Sequence, residues 1–404
     1  MVNVAVLGYG TIGSGVVEVI NRNNAVVSEN ARDEVRVKYV LDLRTFEGDS
    51  VQKILVHDFD VIASDKDVDI VVETMGGIHP AYDFVKKALE AGKNVCTSNK
   101  ELVEAHGREL MVIAKEHSVN FLFEASCGGG IPIIRALYNS LTGDVIEEIT
   151  GIMNGTTNYI LSRMDSDGVS FEAALKEAQD MGYAEKNPEA DVEGYDPCRK
   201  IAILSSVAYG KQINYADIHT EGITKITTED FKYARKIGAR IKLFGTSTNV
   251  DGKVSAIVAP YMVNTGNPLY SVVDSFNAIF VKGNMLGDSM FYGRGAGSLP
   301  TASAVVGDVV DAARHLHETV NKIWSEEKAE LIPYEKAESS FFVRVKGADD
   351  SVKKKIADVF GNVDFIENIV DGEIGFLTGS ITEGEFEEKS KSIPEMITRI
   401  RTKF

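Results

Sequence analysis

Two hydrophobic patterns alternate along the first third of the chain. Short, nearly continuous apolar runs rich in β-branched residues predict buried parallel strands, and amphipathic stretches between them predict helices. The predicted strands are Val2–Leu7, Val35–Leu41, Val68–Glu73, Lys93–Thr97 and Asn120–Phe123. Helical stretches, for example Ala81–Ala91, separate these runs. Strands that alternate with helices predict an α/β domain with a doubly wound parallel sheet.

The middle of the chain follows a different pattern, which predicts an α+β domain with a mainly antiparallel layer. Its predicted strands are Ile146–Met153, Ile241–Thr246, Val254–Pro260, Val272–Lys282 and Met285–Tyr292, and the last two alternate like a hairpin. Helical patterns cover Ile133–Leu141, Thr228–Ala239 and the amphipathic stretch Ala302–Leu316. A glycine-rich loop that includes Gly297 precedes this last helix.

The tail predicts a third, smaller domain. Glu326 to Ser339 is charged and has the composition of a linker. A βαββαβ order follows, with predicted elements Phe341–Lys346, Ser351–Phe360, Val363–Asn368, Ile374–Thr382, Glu383–Ser390 and Met396–Arg401. Because the candidate catalytic residues discussed below all precede Ser298, we expect a chain cut near Glu335 to stay active.

The first predicted strand runs directly into a glycine motif. Gly8, Tyr9, Gly10, Thr11, Ile12 and Gly13 stand in that order, and a helical pattern continues from them. The first glycine permits a tight turn, the second lets the backbone approach a pyrophosphate, and the third lets helix and strand pack closely. The amides of a helix N-terminus attract phosphate groups. This context predicts dinucleotide binding; the alternative is a glycine turn in some other α/β protein.

The end of the second predicted strand bears on cofactor choice. An acid at this place commonly holds the ribose hydroxyls of NAD, whereas an arginine accommodates the 2′-phosphate of NADP. The chain has both, Asp42 and Arg44. Asp42 lies farther from the glycines than the usual ~20 residues. The choice between NAD and NADP therefore stays open, and Arg44 fits a surface loop equally well.

Bulk properties narrow the classes of function. A chain of 404 residues can form two or three domains. Its net charge of −17 argues against nucleic acid or an anionic membrane surface as the main partner. No apolar run approaches the roughly 20 residues of a membrane span. The three cysteines do not form a zinc spacing, and no leader pattern precedes the first strand, so we expect reduced thiols in the cytoplasm.

A turn-rich stretch from Ala178 to Lys200 concentrates polar chemistry. Its acidic residues are Glu185, Glu189, Asp191, Glu193 and Asp196. Asp196 and Pro197 predict the N-cap and first residue of a helix, which places Lys200 one turn from Asp196. From charge alone, a solvated acidic loop is the ordinary explanation. The other explanation is an amino-acid pocket in which carboxylates take an ammonium group and the lysine handles a proton.

The order of residues in this stretch resembles the signature of homoserine dehydrogenases. The matching positions are Ala178, Gly182-Tyr183-Ala184, Asn187-Pro188, Asp191-Val192, Gly194, Asp196 and Lys200. The segments Thr97–Lys100 and Asn154–Leu161 are similar to that family as well. The resemblance has specific motifs from residue 1 to about residue 320 and covers the tail by shape only, where it implies an ACT-like module.

The resemblance implies an NAD(P)-dependent enzyme that interconverts L-homoserine and L-aspartate 4-semialdehyde on the route to threonine, methionine and isoleucine. It assigns proton transfer to Lys200, with Lys100 as neighbour or alternate. It assigns substrate binding to Glu185, Asp191 and Asp196. Cofactor contacts are implied for Gly8, Gly10, Thr11, Ile12, Gly13, Asp42, Arg44, Thr97, Lys100, Gly182 and Gly297. It further implies a Na⁺ site, held largely by main-chain oxygens, at Glu124, Cys127, Gly129 and Ile131.

The expected organisation combines these predictions. Residues 1–132 and 300–325 form a discontinuous NAD(P)-binding Rossmann domain, 133–299 a substrate-binding and dimerisation domain, and 338–404 the ACT-like regulatory domain. We expect a homodimer or higher homo-oligomer and threonine as a candidate effector of the tail. Two alternatives stay open: another amino-acid-pathway dehydrogenase on the same scaffold, and a non-catalytic sensor that binds an amino acid through its tail.

Overall fold

The computed structural model describes residues 1–320 and 322–404. The chain forms two compact units, each assembled from three segments. The first unit comprises Met1–Val145, Ala202–Asn214 and Phe291–Lys328. The second comprises Ile146–Ile201, Tyr215–Met290 and Ala329–Phe404.

Strands β1 to β19 are Val2–Leu7, Val35–Leu41, Leu55–Val56, Ile70–Glu73, Asn94–Thr97, Phe121–Leu122, Ile146–Ile152, Lys211–Gln212, His219–Thr220, Ala239–Val250, Lys253–Asn264, Phe276–Gly283, Gly287–Arg294, Ser325–Lys328, Glu338–Lys346, Asp364–Ile366, Glu373–Leu377, Ile381–Thr382 and Met396–Lys403. Helices α1 to α14 are Thr11–Arg22, Asn24–Ala31, Phe59–Ser64, Ala81–Glu90, Lys100–Glu116, Ile133–Arg135, Gly155–Asp167, Phe171–Asp180, Glu189–Val192, Tyr195–Tyr209, Thr228–Lys236, Ser298–Arg314, Asp350–Phe360 and Glu383–Ser390. Among the described residues, no helix has the length and apolarity needed to cross a membrane.

The first unit is built on a six-stranded parallel sheet in the order β3-β2-β1-β4-β5-β6. The predicted parallel α/β sheet is therefore confirmed. Strands β1, β4, β5 and β6 are buried because helices cover the sheet, as the continuous apolar runs predict, whereas β2 and β3 are partly exposed. Helix α12 packs against α1, and Val305 and Val309 join Val16 and Ile20 in one core cluster.

The second sheet has eleven strands. Its main order is β13-β12-β7-β10-β11-β19-β15-β17-β16, with β9 beside β11 and β18 beside β15. The long hairpin of β10 and β11 pairs from Ala239↔Asn264 to Val250↔Lys253. The mixed α/β class predicted for the chain is confirmed, and the predicted antiparallel pairing holds for β7, β10, β11 and β12.

The tail has the predicted βαββαβ order, and its strands continue the second sheet. Strand β19 lies parallel to β11, with Tyr261 opposite Arg401 and Val263 opposite Lys403. Strand β15 pairs antiparallel with β19. The tail is therefore joined to the rest of the second unit by a short parallel pairing that involves three residues of each strand.

Four local predictions are wrong. The helix predicted to start with Asp196 as its N-cap begins at Tyr195, so Asp196 lies within the first turn of α10. The predicted linker contains β14, which pairs with β8. The predicted helix from Ile133 is α-helical only to Arg135 and continues as a π-helical turn to Ser140. The predicted strand over residues 374–382 is broken around Gly379, because β17 pairs with one end of β15 and β18 with the other.

Candidate functional site

The glycine motif of the first unit forms an open turn between β1 and α1. Gly8 has φ +90°, a left-handed conformation that favours glycine. A Cβ on Gly13 would lie 1.8 Å from the Gly8 carbonyl oxygen, whereas a Cβ on Gly10 would have no atom within 4 Å. Helix α1 begins at Thr11 without a side-chain cap. The turn therefore leaves uncapped amides beside open space, as a bound pyrophosphate requires.

A cleft of about 520 Å³ opens next to this turn. It lies at the carboxyl ends of β1, β2 and β4, where ligands bind in doubly wound sheets. It is lined by Gly8, Gly10, Leu41, Asp42, Leu43, Arg44, His57, Phe59, Thr74, Met75, Gly76, Pro80 and Phe84.

Asp42 and Arg44 form a forked ion pair at the mouth of this cleft. Arg44 Nε donates to Asp42 Oδ1 and Nη2 donates to Oδ2, both at 2.9 Å. The Tyr9 amide donates to Asp42 Oδ2 at 2.8 Å, within the glycine turn. The Arg44 guanidinium, helped by the amides of Arg44 and Tyr9, holds the pKa of Asp42 well below its ordinary value. Both residues predicted from the sequence therefore line the cleft beside the glycine turn.

The ends of β4 and β5 are tied together by a buried carboxylate, Glu73. It accepts from the amide of Met75 at 2.7 Å and from the Thr97 hydroxyl at 2.5 Å. Burial raises the pKa of Glu73, although these hydrogen bonds oppose the shift. Asn99 caps α5 through the Leu102 amide, so that Lys100, half-buried, opens the helix. Lys100 belongs to the first unit and Lys200 to the second, and their proximity stays a prediction.

The loop before α12 packs on the glycine motif within the first unit. Gly297 has φ +115° and lies at the N-cap of α12. The Ser298 hydroxyl donates to the carbonyl of Thr11 at 2.6 Å. A Cβ on Gly129 would lie 2.3 Å from the Gly295 carbonyl oxygen, so the two glycine-rich loops touch.

The segment predicted to hold sodium is buried, and its side chains have other partners. The Glu124 carboxylate accepts from the amides of Ile134 at 2.8 Å and Arg135 at 2.7 Å, which caps α6. Cys127 and Ile131 are buried. Within the described part of the chain, no group of three His, Cys, Asp or Glu side chains is placed to hold a metal ion. A cation here would therefore depend on main-chain carbonyls, as expected for this segment.

The second unit brings the central acids and lysine together. Lys200 Nζ donates to Asp196 Oδ2 at 2.7 Å and to the carbonyl of Met153 at 2.8 Å. Lys200 and Asp196 are both buried and stand one turn apart on α10. Asn154 Nδ2 donates to Asp196 at 2.8 Å and to Asp191 at 2.6 Å. We call Asn154, Asp191, Asp196 and Lys200 the acid–lysine cluster.

Two further predicted residues lie at the edge of this region. Glu185 is exposed in the loop after α8, where its carbonyl accepts from the Gln179 side chain at 3.1 Å. Gly182 occupies the preceding turn with φ +75°. The hydroxyl of Thr156, on α7, donates to the carbonyl of Tyr183 at 2.6 Å and so ties this loop to the helix that Asn154 caps.

Sequence reasoning missed two residues that organise the site. Asn154 Oδ1 caps α7 at the Thr157 amide, while its Nδ2 bridges the two acids. The similar run Asn154–Leu161 was the available signal. Glu73 was counted as the end of an apolar strand. An acid in that position is unusual enough to have marked it, because unpaired burial of a carboxylate is costly.

Comparisons with known proteins identify the family of this chain. The family model described as homoserine dehydrogenase matches residues 132–310, and that described as its NAD binding domain matches residues 8–124. The homoserine dehydrogenase of Neisseria gonorrhoeae is 38% identical over 360 residues, which cover 86% of this chain and 82% of that protein.

Solved structures agree as well. The crystal structure of a homoserine dehydrogenase from Thiobacillus denitrificans matches with a TM-score of 0.92 and 33% identity, covering 100% of this chain and 98% of that chain. A hyperthermophilic archaeal homoserine dehydrogenase in complex with NADPH matches with a TM-score of 0.66 and 26% identity, covering 77% of this chain and 97% of that chain. The chain belongs to the homoserine dehydrogenase family and is an NAD(P)-dependent oxidoreductase.

Proposed function

We propose that this chain interconverts L-homoserine and L-aspartate 4-semialdehyde, with the acid–lysine cluster as its catalytic centre. The observation that carries the proposal is the buried Lys200, oriented by Asp196 and by the Met153 carbonyl. Burial restricts the side chain to one geometry, so a substrate oxygen placed on Nζ meets a proton donor that is already aligned.

The acids around Lys200 suit the other end of the substrate. Homoserine and the semialdehyde both carry an ammonium group, and carboxylates are its natural partners. Asp191 lies next to Asp196 across Asn154, and Glu185 is exposed in the same loop. We assign Glu185, Asp191 and Asp196 to substrate binding, with Asp196 also orienting Lys200.

Lys200 would protonate the aldehyde oxygen during reduction and take the hydroxyl proton back during oxidation. The hydride belongs to the nicotinamide, which supplies it in one direction and accepts it in the other. Lys100, at the start of α5, is the alternate or helping lysine. If the two ammonium groups approach each other during turnover, each would lower the pKa of its neighbour.

The first unit fits the dinucleotide. The space in front of Gly10 and the uncapped amides at Thr11, Ile12 and Gly13 suit a pyrophosphate. Asp42 and Arg44 suit the adenosine ribose, with or without a 2′-phosphate. We assign Thr97, Lys100 and Gly297 to the nicotinamide side. Gly182 is the one cofactor contact proposed in the second unit.

We also assign a Na⁺ site to the loop of Glu124, Cys127, Gly129 and Ile131. The support is a tight buried turn with left-handed glycines at 128 and 129, which can direct carbonyl oxygens toward one point. The Glu124 carboxylate is engaged by amides, so its carbonyl would be the contributing atom. The proposed role of the cation is structural.

The proposed oligomer is supported by an exposed sheet edge outside the tail. Strand β13 is an edge strand with exposed Met290, and edge strands favour pairing with another chain. We therefore propose a homodimer. Asp349 caps α13 through the amides of Ser351 and Val352, which leaves those amides less available for an amino-acid carboxylate. Threonine sensing stays a prediction that a threonine titration of the full chain tests.

An assay of NAD(P)H oxidation with L-aspartate 4-semialdehyde tests the proposed reaction. The expected result is turnover that needs the semialdehyde and that runs in reverse with L-homoserine. Activity with a different aldehyde and none with the semialdehyde would overturn the substrate assignment. Loss of turnover in Asp196→Asn, with a normal melting temperature, would tie the activity to the acid–lysine cluster.

A further inference from the structure

A buried ion-pair network outside the acid–lysine cluster ties the last strand to the middle of the second unit. Glu221 Oε1 accepts from Arg401 Nη2 at 2.8 Å and from Arg399 Nη2 at 3.0 Å. Arg401 also donates two hydrogen bonds to the Glu383 carboxylate, at 2.5 and 3.0 Å. Arg401 and Glu383 are 1% and 0% exposed. The proposed mechanism uses none of these groups.

Two aromatic side chains complete the network. The Tyr334 hydroxyl donates to Glu383 at 2.8 Å, and the His219 ring stacks on Tyr334 with centroids 3.6 Å apart. His219 Nε2 lies 2.8 Å from Glu221. Burial acts to raise the pKa of Glu221, but the hydrogen bonds from His219 and Arg401 outweigh it and keep the pKa below its ordinary value. Glu221 is therefore a fixed, ionised anchor.

Residues 221–224 lie against the loop of the acid–lysine cluster, and we call this segment the wall. The amide of Ile223 donates to the Val192 carbonyl at 2.8 Å, and the Thr224 hydroxyl donates to Glu193 at 3.1 Å. A Cβ on Gly222 would lie 2.2 Å from the Val192 oxygen. The wall and the loop are thus in backbone contact, with no room for a side chain between them.

Val192 and Glu193 lie between Asp191 and Asp196 in the sequence. The wall therefore touches the chain directly after Asp191, one of the acids that we assign to the substrate. Most of the preceding stretch, residues 181–190, is exposed and has little packing of its own. Such a loop needs an external support to hold carboxylates at fixed positions.

We propose that Glu221 is a positioning residue for the substrate loop: paired with Arg399 and Arg401, it fixes residues 221–224 as the wall that sets the place of Asp191. The inference rests on the proposed role of Asp191 in substrate binding. It gives the tail a part in substrate affinity, because both arginines belong to β19. The expectation that a chain cut near Glu335 stays active is replaced by the expectation that such a chain binds homoserine poorly.

Glu221→Gln is the first test. Losing the charge removes one partner from the buried Arg401 and from the partly buried Arg399, so the wall should shift while the chemistry at Lys200 stays in place. We expect the KM for homoserine to rise roughly 10-fold, with kcat changed less than about threefold and the KM for the cofactor unchanged, the signature of lost ground-state binding. A normal homoserine KM in a folded Glu221→Gln variant overturns the proposal.

Gly222→Ala tests the wall without touching the ion pairs. The added methyl group would press on Val192, so we expect the same rise in homoserine KM and the same small change in kcat. If Glu221→Gln does not fold, this variant still decides, since a normal homoserine KM here overturns the proposal as well.

Lys403→Met is the matched control. Lys403 lies on the same strand as Arg401, and its ion pair with Glu148 joins β19 to β7 away from the loop. It should lower the melting temperature and leave the homoserine KM unchanged. An equal rise in KM for Lys403→Met would make the effect general destabilisation and overturn the proposal. Asp196→Asn separates failure of the proposed function from failure of the positioning role. Normal kinetics in Asp196→Asn would overturn the proposed function. An inactive Asp196→Asn together with a normal Glu221→Gln would overturn the positioning role alone.

Discussion

The glycine turn of the first unit and the acid–lysine cluster of the second unit present their chemistry in different ways. The turn is a run of six consecutive residues that offers backbone amides to a ligand. Gly8 and Gly13 are in contact, and there is open space at Gly10. The cluster is made of side chains from α7, α9 and α10, and Asn154 reaches 42 residues along the chain to Asp196.

This difference determines how each site can fail. A backbone site fails when a Cβ enters it, whatever the chemistry of the side chain. A side-chain site fails when one partner is removed, because a buried charge is left uncompensated. The predictions below test this contrast, from the largest expected effect to the smallest.

Lys200→Met should lower kcat by roughly 10²–10⁴-fold, the usual size of a lost acid–base group. Steady-state kinetics with both substrates measures it. Lys242→Met is the matched control, since Lys242 is also buried in the second unit but donates to Asn158 Oδ1 at 3.3 Å and to the Val272 carbonyl. The control should keep kcat. Equal losses in the two variants would remove the special role of Lys200.

Gly13→Ala and Gly10→Ala should separate the two demands on the glycine turn. In Gly13→Ala the Cβ meets the Gly8 oxygen, so the melting temperature should fall and the cofactor KM should rise by up to about 10²-fold. In Gly10→Ala the free protein has room for the methyl group, so only the cofactor KM should rise. A thermal melt and a cofactor titration distinguish them, and a destabilised Gly10→Ala would contradict the assignment.

Asn154→Ala should lower activity as well as remove the N-cap of α7. Loss of the α7 cap alone is worth about 1 kcal/mol of stability, but the bridge to Asp191 and Asp196 is lost too. We expect kcat/KM to fall roughly 10-fold to 10²-fold, since a hydrogen bond to a charged group is worth about 1.5–3 kcal/mol. Ser170→Ala, which removes only the cap of α8, should lower stability and leave kcat/KM intact. Equal kinetics in both variants would make Asn154 a cap only.

Asp42 and Arg44 should show which cofactor the cleft favours. Arg44→Ala should raise the KM for NADP roughly 10-fold if the guanidinium leaves Asp42 for a 2′-phosphate, with the KM for NAD nearly unchanged. Asp42→Ala should raise the KM for NAD more than that for NADP. Unchanged constants for both cofactors in both variants would place this ion pair outside the cofactor site.

The last prediction concerns Lys242, which should affect stability and not activity. Its expected effect is a pH dependence of the free energy of unfolding. Burial lowers the pKa of Lys242 to about 7 from its ordinary 10.5. Between these values the unfolded chain binds more protons than the folded one, so the free energy of unfolding should rise with pH. The gain should be on the order of 2 kcal/mol between pH 7 and 9. Denaturant unfolding at both pH values measures it, and Lys242→Met should lose the slope.

Much of the first unit could be predicted from the sequence. Continuous apolar runs fix buried parallel strands, and Gly8 to Gly13 carries its own geometry, because left-handed φ and the absence of a Cβ are local properties. The element order of the tail could be predicted from the sequence, whereas the sheet that its strands join could not. A strand pattern does not say which edge a strand will join, and the pairing of β19 with β11 depends on contacts far apart in the chain.

The sequence by itself determined the family, the glycine turn, and the spacing that puts Lys200 one helical turn from Asp196. Only the tertiary structure decided that Asn154 bridges two acids, that Glu73 ties β4 to β5, and that Glu221 meets Arg399 and Arg401. The physical reason is that helical spacing and backbone conformation act over a few residues. Partners for buried charges come from segments that only the folded sheet brings within hydrogen-bond distance.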